Sequence, residues 1–331
     1  MSTIPPTFKA LVISAREDRY QTVLTERSLD ELPDHDVLIR VRYSSLNYKD
    51  ALSSAGNKGV TRSYPHTPGI DAAGEVVECA SGQFRPGDAV VVFGYDLGMN
   101  TSGGLAEYIR VPASWVLPLP AGLDARTAMS YGTAGITAAL SVMKLQLLGV
   151  QPPAPVVVTG ATGGVGTMSV LFLGNLGYEI TAVSGKATAS ELLGRLGASH
   201  FVPRETFSEE NPRPLLKPQY DGAIDCVGGT TLANLLKVIR HSGAVACSGL
   251  VQSPDLPATV FPFILRGVSL LGIDSVELAL EHKRRAWDWI AAHHDAHKLS
   301  HLVCEIALAD APAALADLLK GAGRGRYLVR I

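Results

Sequence analysis

The chain has 331 residues, length for about two domains with buried cores, and its 47% apolar and 18% charged residues place it among globular proteins rather than disordered chains or fibres. Lys plus Arg number 29 against 31 for Asp plus Glu, a formal net charge of -2, so no basic surface is on offer to nucleic acid. No uncharged apolar run approaches the ~20 residues of a membrane helix, and Met1-Ser2-Thr3-Ile4-Pro5-Pro6 lacks the cationic start of a targeting segment. A soluble, cytoplasmic protein without membrane or nucleic-acid partners is expected. Glycine is in excess, 33 residues, about a tenth of the chain against a usual ~7%, as tight turns and close backbone approaches require. The four cysteines, Cys79, Cys226, Cys247 and Cys304, show neither C-x-x-C spacing nor neighbouring histidines, which points to buried free thiols and to no metal.

Up to about residue 120 the text reads as strands, with β-branched runs at Ala10-Leu11-Val12-Ile13, Val37-Leu38-Ile39-Arg40-Val41, Gly74-Glu75-Val76-Val77 and Ala89-Val90-Val91-Val92 separated by Pro, Gly and Asp. After Asp124 strands alternate with helices. Strands at Val156-Val157-Val158, Ile180-Thr181-Ala182-Val183, Phe201-Val202-Pro203, Gly222-Ala223-Ile224-Asp225 and Gly243-Ala244-Val245-Ala246-Cys247 are separated by helical stretches over 165–177, 189–197 and 231–239. That alternation predicts a doubly wound parallel sheet, giving an α/β protein with a β-rich partner domain. From about Phe263 come a strand at Val268-Ser269-Leu270-Leu271, a helix over 287–297, a short helix over 313–319 and a closing strand Tyr327-Leu328-Val329. This tail is expected to rejoin the first domain, which places residues 1–125 and 266–331 together and 126–265 apart.

The strongest local signal is Val156-Val157-Val158-Thr159-Gly160-Ala161-Thr162-Gly163-Gly164-Val165-Gly166, a strand running through glycines into a helix. Gly163 and Gly164 let the backbone approach a pyrophosphate, the helix N-terminus favours its charge, and Gly166 permits close helix-to-strand packing. About 20 residues on, an acid would read a free ribose 2′-hydroxyl, but the text is Val183-Ser184-Gly185-Lys186. Ser184 as donor and Lys186 as cation suit a 2′-phosphate, so NADPH is the expected cofactor. Arg204, after the third strand, is placed to stack on adenine or reach that phosphate.

Blocks in order along nearly the whole chain carry a resemblance: Ser44-Ser45-Leu46-Asn47-Tyr48-Lys49-Asp50-Ala51-Leu52, Pro68-Gly69-Ile70-Asp71, Gly103-Gly104-Leu105-Ala106-Glu107, Gly132-Thr133-Ala134-Gly135, the glycine loop, Pro262-Phe263-Ile264-Leu265-Arg266, Gly272-Ile273-Asp274-Ser275-Val276 and Gly325-Arg326. On these the chain resembles the medium-chain dehydrogenase/reductase superfamily, and within it the acryloyl-CoA reductase group whose members often bear quinone oxidoreductase labels. The resemblance implies a GroES-like domain built from both ends of the chain, a central Rossmann domain, a cleft for substrate and nicotinamide, and a homodimer. Zinc-dependent members of the superfamily carry a Cys shortly before an Asp and a Gly-His-Glu ligand motif. Here the corresponding stretches are Asn47-Tyr48-Lys49-Asp50 and Gly69-Ile70-Asp71, which lack the thiolate and imidazole that zinc requires, so the zinc-free branch is implied.

The implied reaction is hydride delivery from NADPH to the β-carbon of a short 2-enoyl-CoA such as acryloyl-CoA, with protonation of the α-carbon. Donors must meet the charge that develops on the thioester oxygen. Asn47 and Tyr48 are the candidates, with Asp50 and Asp71 as residues that position them or simply cap and turn the chain. For the cofactor the resemblance implies Tyr48, Thr133, Thr162, Gly163, Gly164, Val165, Ser184, Gly185, Lys186, Arg204, Leu250, Ile264, Ser275 and Arg326; Tyr327 departs from the small or β-branched residue usual after that Arg. Lys58 and Arg62 are basic residues that could meet CoA phosphates, or be plain solvated cations. His282, His293, His294, His297 and His301, with Lys283, Arg284 and Arg285, read as a solvated helix face. An NADPH:quinone oxidoreductase is the alternative activity, and a non-catalytic NADPH-binding protein the third reading.

Overall fold

A computed structural model describes residues 4–17, 19–186, 189–323 and 325–331, so the opening Met1-Ser2-Thr3 lies outside the described residues. The chain forms two compact units, one of residues 1–133, 276–291 and 303–331, the other of residues 134–275 and 292–302.

In the first unit, β1 (Thr7–Arg16) and β2 (Arg19–Ser28) pair as a long antiparallel hairpin. The main sheet joins β3 (Val37–Ser45), β4 (Asp71–Cys79), β5 (Ala89–Phe93), β6 (Tyr108–Val111) and β7 (Val116–Pro118) to two strands from the far end of the chain, β14 (Val303–Ala307) and β15 (Arg326–Arg330). Its order is β14-β15-β3-β4-β5-β7, with β6 also paired to β3. Alternation buries Val37, Ile39 and Val41 of β3 against Val90 and Val92 of β5 and Ile109 and Val111 of β6. A second cluster packs Leu46 and Ala51 on Leu315 and Val329. That contact seats the short helix α1 (Tyr48–Ser54) against α10 (Ala311–Leu319). Tyr327, the departure from the family pattern, packs its ring on this cluster.

The second unit contains six parallel strands in the order β10-β9-β8-β11-β12-β13. They are β8 (Pro155–Val158), β9 (Glu179–Ser184), β10 (His200–Pro203), β11 (Tyr220–Asp225), β12 (Ile239–Cys247) and β13 (Ser269–Gly272). This is the 3-2-1-4-5-6 order of a dinucleotide-binding sheet, whose switch point lies between β8 and β11. The helices α3 (Gly164–Leu176), α4 (Ser190–Leu196), α5 (Glu205–Ser208), α6 (Gly229–Val238) and α7 (Phe261–Arg266) connect the strands. Parallel strands covered on both faces lose their alternation, and Val156, Val157 and Val158 are all buried.

Several expectations need correction. Residues 266–275 belong to the second unit, because β13 completes the parallel sheet beside β12. A helix unmarked in the sequence reading, α2 (Ala125–Leu147), starts in the first unit and is broken at Gly132. The helix expected over 287–297 is two: α8 (Leu280–Ala292), then α9 (Ala296–Ser300) started by the Asp295 side chain, which accepts from the Lys298 N–H. Lys283 is not on the solvated face. It lies four residues before the buried Trp287, hence on the same side of α8, and its ammonium donates to the Phe93 carbonyl at 3.0 Å and sits over the Tyr95 ring. The four cysteines are free, but none is fully buried, and Cys304 on the edge strand β14 is exposed. Among the described residues no helix is long and apolar enough to cross a membrane.

The segment of α3 from Gly166 to Leu173 is buried throughout, so this helix is a core element of the second unit. Phe172→Ala is expected to cost about 3–5 kcal/mol, read as a lowered midpoint in chemical denaturation.

Candidate active site

The end of β3, the start of α1, the start of β15 and the break in α2 converge, all in the first unit, on the carboxylate of Asp71, the first residue of β4. Its Oδ2 accepts from the Ser45 hydroxyl at 2.5 Å, the Asn47 amide at 2.7 Å and the Thr133 N–H at 3.0 Å, while Oδ1 accepts from the Thr133 hydroxyl at 2.5 Å. Beside it lies the guanidinium of Arg326, the first residue of β15, 3.8 Å away and 3% exposed. Arg326 donates to the Ser45 hydroxyl at 2.6 Å, the Leu46 carbonyl at 3.1 Å, the Asn47 side-chain oxygen at 3.2 Å and the Ser130 carbonyl at 3.4 Å. Ser45 thus accepts from the cation and donates to the anion. Burial pulls the Arg326 pKa down while the Asp71 and Asp50 charges hold it up.

The break at Gly132 makes this arrangement possible. Its φ of 51° and ψ of -156° interrupt α2, and a Cβ there would stand 2.5 Å from both the Asp71 Oδ2 and the Ser45 hydroxyl. The turn aims both Thr133 donors at the carboxylate.

Asp50 is wholly buried in the first turn of α1. Its Oδ2 accepts from the Asn47 N–H at 2.8 Å, and its Oδ1 from the N–H groups of Gly69 and Ile70, both at 3.0 Å. Burial pushes this carboxyl up to about 7, and the Asp71 charge adds to the rise, against the three N–H groups that hold it down. It reaches no solvent and acts as a clamp between the start of α1 and the segment before β4.

These partners separate the two expected donors. Asn47 has its amide hydrogens on Asp71 and the Ser45 carbonyl and its oxygen on Arg326, so it is committed to the network instead of standing free for a substrate oxygen. Tyr48, the next residue, is 45% exposed, and its hydroxyl has no partner among the described residues. Arg326, expected at the cofactor, likewise spends its guanidinium on the network.

In the second unit the glycine loop follows β8 at the switch point. Gly166 packs so closely that a Cβ would stand 2.2 Å from the Gly160 carbonyl, while Gly163, the N-cap of α3, is exposed. Beneath the loop the buried Thr159 hydroxyl donates to Asp225 at 2.6 Å, whose other oxygen accepts from the Gly228 N–H at 2.8 Å. Burial raises the Asp225 carboxyl, and no motif in the sequence reading marked it. At the end of β9 the Ser184 hydroxyl accepts from the Lys186 N–H at 3.0 Å, which leaves its proton for a ligand. The exposed Arg204 guanidinium lies over Gly185, in the space a side chain would fill. A glycine-lined helix N-terminus with Ser184, Lys186 and Arg204 beside it fits a dinucleotide carrying a 2′-phosphate. Leu250 and Ile264 are exposed apolar residues, whereas Ser275 is buried and accepts from the Thr137 hydroxyl.

Zinc is another matter. Neither Asn47 nor Tyr48 can replace the thiolate of the zinc-dependent pattern, nor Ile70 its imidazole, and among the described residues no three His, Cys, Asp or Glu side chains group as metal ligands. His297 and His301 meet edge to face at 4.8 Å on α9 and the residue after it.

A family model for the alcohol dehydrogenase GroES-like domain matches residues 33–121, and one for zinc-binding dehydrogenases matches residues 164–292. AcuI, an acrylyl-CoA reductase of Ruegeria pomeroyi, is 43% identical over 98% of this chain and 99% of its own. YhfP of Bacillus subtilis, which carries a provisional quinone oxidoreductase name, is 43% identical over the full length of both chains; its crystal structure has NAD bound and superposes with a TM-score of 0.95 over 99% of this chain and 100% of that one. The YhdH oxidoreductase of Salmonella enterica in complex with NADP is 41% identical, with a TM-score of 0.95 over 98% and 99% of the two chains.

The raised Asp50 carboxyl ties stability to pH. Unfolded, the group titrates near 3.9; folded, at about 7, so between these values the native state holds a proton the unfolded state has released. Its contribution is complete below about pH 4, falls as pH rises to about 7 and is flat above. The denaturation midpoint of the parent chain relative to Asp50→Asn is therefore expected to decline between pH 5 and pH 7, and a flat difference would refute the assignment.

Proposed function

The chain belongs to the medium-chain dehydrogenase/reductase superfamily, in the group of AcuI, YhdH and YhfP, and we propose that it reduces the activated double bond of acryloyl-CoA or another short 2-enoyl-CoA at the expense of NADPH. The observation that carries the reading is an exposed Tyr48, whose hydroxyl has no partner among the described residues, beside an immobilised Asn47. Gly163, Gly164 and Val165 hold the pyrophosphate on the N-terminus of α3, and Ser184, Lys186 and Arg204 hold the 2′-phosphate. Bound there, the nicotinamide supplies the hydride that the β-carbon accepts.

Tyr48 is the residue whose Oη reaches the thioester oxygen and donates a hydrogen bond as negative charge builds on it. Asn47, Asp71, Arg326 and Thr133 act through it, since each hydrogen bond they make stiffens the start of α1 on which Tyr48 stands. Asp50 adds the segment at Gly69 and Ile70 to the same rigid piece. No Lewis acid is called for, because an enoyl thioester is already electron-poor at its β-carbon, which suits a site with Asn47 and Ile70 in place of zinc ligands.

We place the enzyme in the cytoplasm, where its four free thiols stay reduced, and as a homodimer. Support for the dimer comes from β13, an edge strand of the parallel sheet, and from the exposed Leu250, Val251, Val260, Phe261, Ile264 and Leu265 in the segment that precedes it. Sedimentation equilibrium of the purified chain is expected to give twice the 35.0 kDa chain mass, with a monomer refuting it.

Purified protein supplied with acryloyl-CoA, crotonoyl-CoA and a quinone side by side is expected to oxidise NADPH in preference to NADH, with kcat/KM far higher for acryloyl-CoA than for the quinone. Tyr48→Phe is expected to lower kcat roughly 100-fold with KM for NADPH little changed. Quinone turnover without enoyl-CoA turnover would leave a quinone oxidoreductase, and tight NADPH binding without either would leave a binding protein.

A further inference from the structure

The turn that leaves α1 presents two cations that the hydride chemistry does not use. Lys58 donates from its ammonium to the Arg62 carbonyl at 3.0 Å and lies 4.7 Å over the Tyr64 ring, which itself packs on Tyr20 at 4.9 Å. Tyr20, from β2, rests directly on Gly56, and the Tyr64 hydroxyl donates to the Ser53 carbonyl in α1. The turn is rigid: the Ser53 and Thr61 hydroxyls bond each other at 2.7 Å in the interior, the Asn57 side chain accepts from the Gly59 N–H, and the Asn100 side chain accepts from the Arg62 N–H at 3.1 Å. The guanidinium of Arg62 is exposed, and it makes no ion pair or hydrogen bond among the described residues. Asp96, to which the Asn100 amide donates, also accepts from the Thr101 hydroxyl.

The loop holds the Lys58 ammonium in place and leaves the Arg62 guanidinium without a partner among the described residues, an arrangement that suits an anion. Arg offers a planar fork that matches phosphate oxygens two at a time, and the neighbouring ammonium adds a point charge. The loop begins where α1 ends, and α1, seven residues or about 10 Å long, carries Tyr48 at its other end. A CoA thioester has the same layout, with the acyl group at one end of an extended pantetheine arm and the phosphates at the other.

We propose that residues 56–62 form the subsite for the phosphates of the CoA thioester, with Arg62 as the principal ligand and Lys58 as its support. The inference rests on the enoyl-CoA reading above. It predicts that this enzyme selects its substrate by the CoA tail as well as by the acyl group. The 2′-phosphate of NADPH has its own candidate ligands in Ser184, Lys186 and Arg204.

The test compares acryloyl-CoA with acryloyl-pantetheine, which has the same reacting group and arm but lacks the nucleotide phosphates. Arg62→Glu is expected to raise KM for acryloyl-CoA roughly tenfold with kcat within twofold, and to leave KM for acryloyl-pantetheine and for NADPH unchanged. Arg62→Lys should recover part of the loss, and Lys58→Gln should show a smaller effect of the same kind. A KM for acryloyl-CoA indifferent to Arg62→Glu, or a rise shared equally by both thioesters, overturns the proposal. If the parent enzyme reduces both thioesters with the same KM, the enoyl-CoA reading stands and the subsite falls. If it reduces neither, both fall.

Discussion

The buried pair of Asp71 and Arg326 is the constraint around which the first unit is arranged. An ion taken out of water costs several kcal/mol unless every oxygen and N–H finds a partner, and removing one member of such a pair typically costs about 3–5 kcal/mol because the other is left uncompensated. Four donors meet the carboxylate and four acceptors meet the guanidinium, so the pair is satisfied by local geometry. That requirement explains why a chain of 331 residues returns its last strand to pair with β3, and why α2 is broken by the one residue type that tolerates the turn at Gly132.

The same requirement divides labour between adjacent residues. Asn47 is bonded to both members of the pair and loses its freedom; the adjacent Tyr48 is exposed, with no hydroxyl partner among the described residues. A flexible side chain would have to be ordered when the substrate arrives, whereas Tyr48 stands on a helix start already pinned by Asn47, Asp50 and, through Asp50, the backbone of Gly69 and Ile70. The second unit repeats the device under the glycine loop, where the Thr159 and Asp225 side chains join the ends of β8 and β11.

The superfamily's zinc motif persists here in outline. Its acids are present as Asp50 and Asp71, but without the thiolate and imidazole those acids serve the backbone and an arginine.

The repeating patterns of the chain were legible without a structure. Alternation in Val37-Leu38-Ile39-Arg40-Val41, the apolar run at Val156-Val157-Val158 and the glycines that follow are local signals, because the period of the side chains and the sterics of glycine act over a few residues. They were enough for the α/β class, the parallel sheet and the dinucleotide loop. Helix α2 has no local signature because small and polar residues break its apolar stripe, burial of the Lys283 ammonium depends on the distant Phe93 carbonyl and Tyr95 ring, and Ser45 and Asp225 look like any serine or acid at the end of a strand. By itself the sequence determined which residue types stand at the phosphate loop and at positions 47, 48, 50 and 71. Only the tertiary structure decided which of them are free to act, since a hydrogen-bond donor is available or spent according to partners 24, 62 or 279 residues away, and no local pattern carries that information.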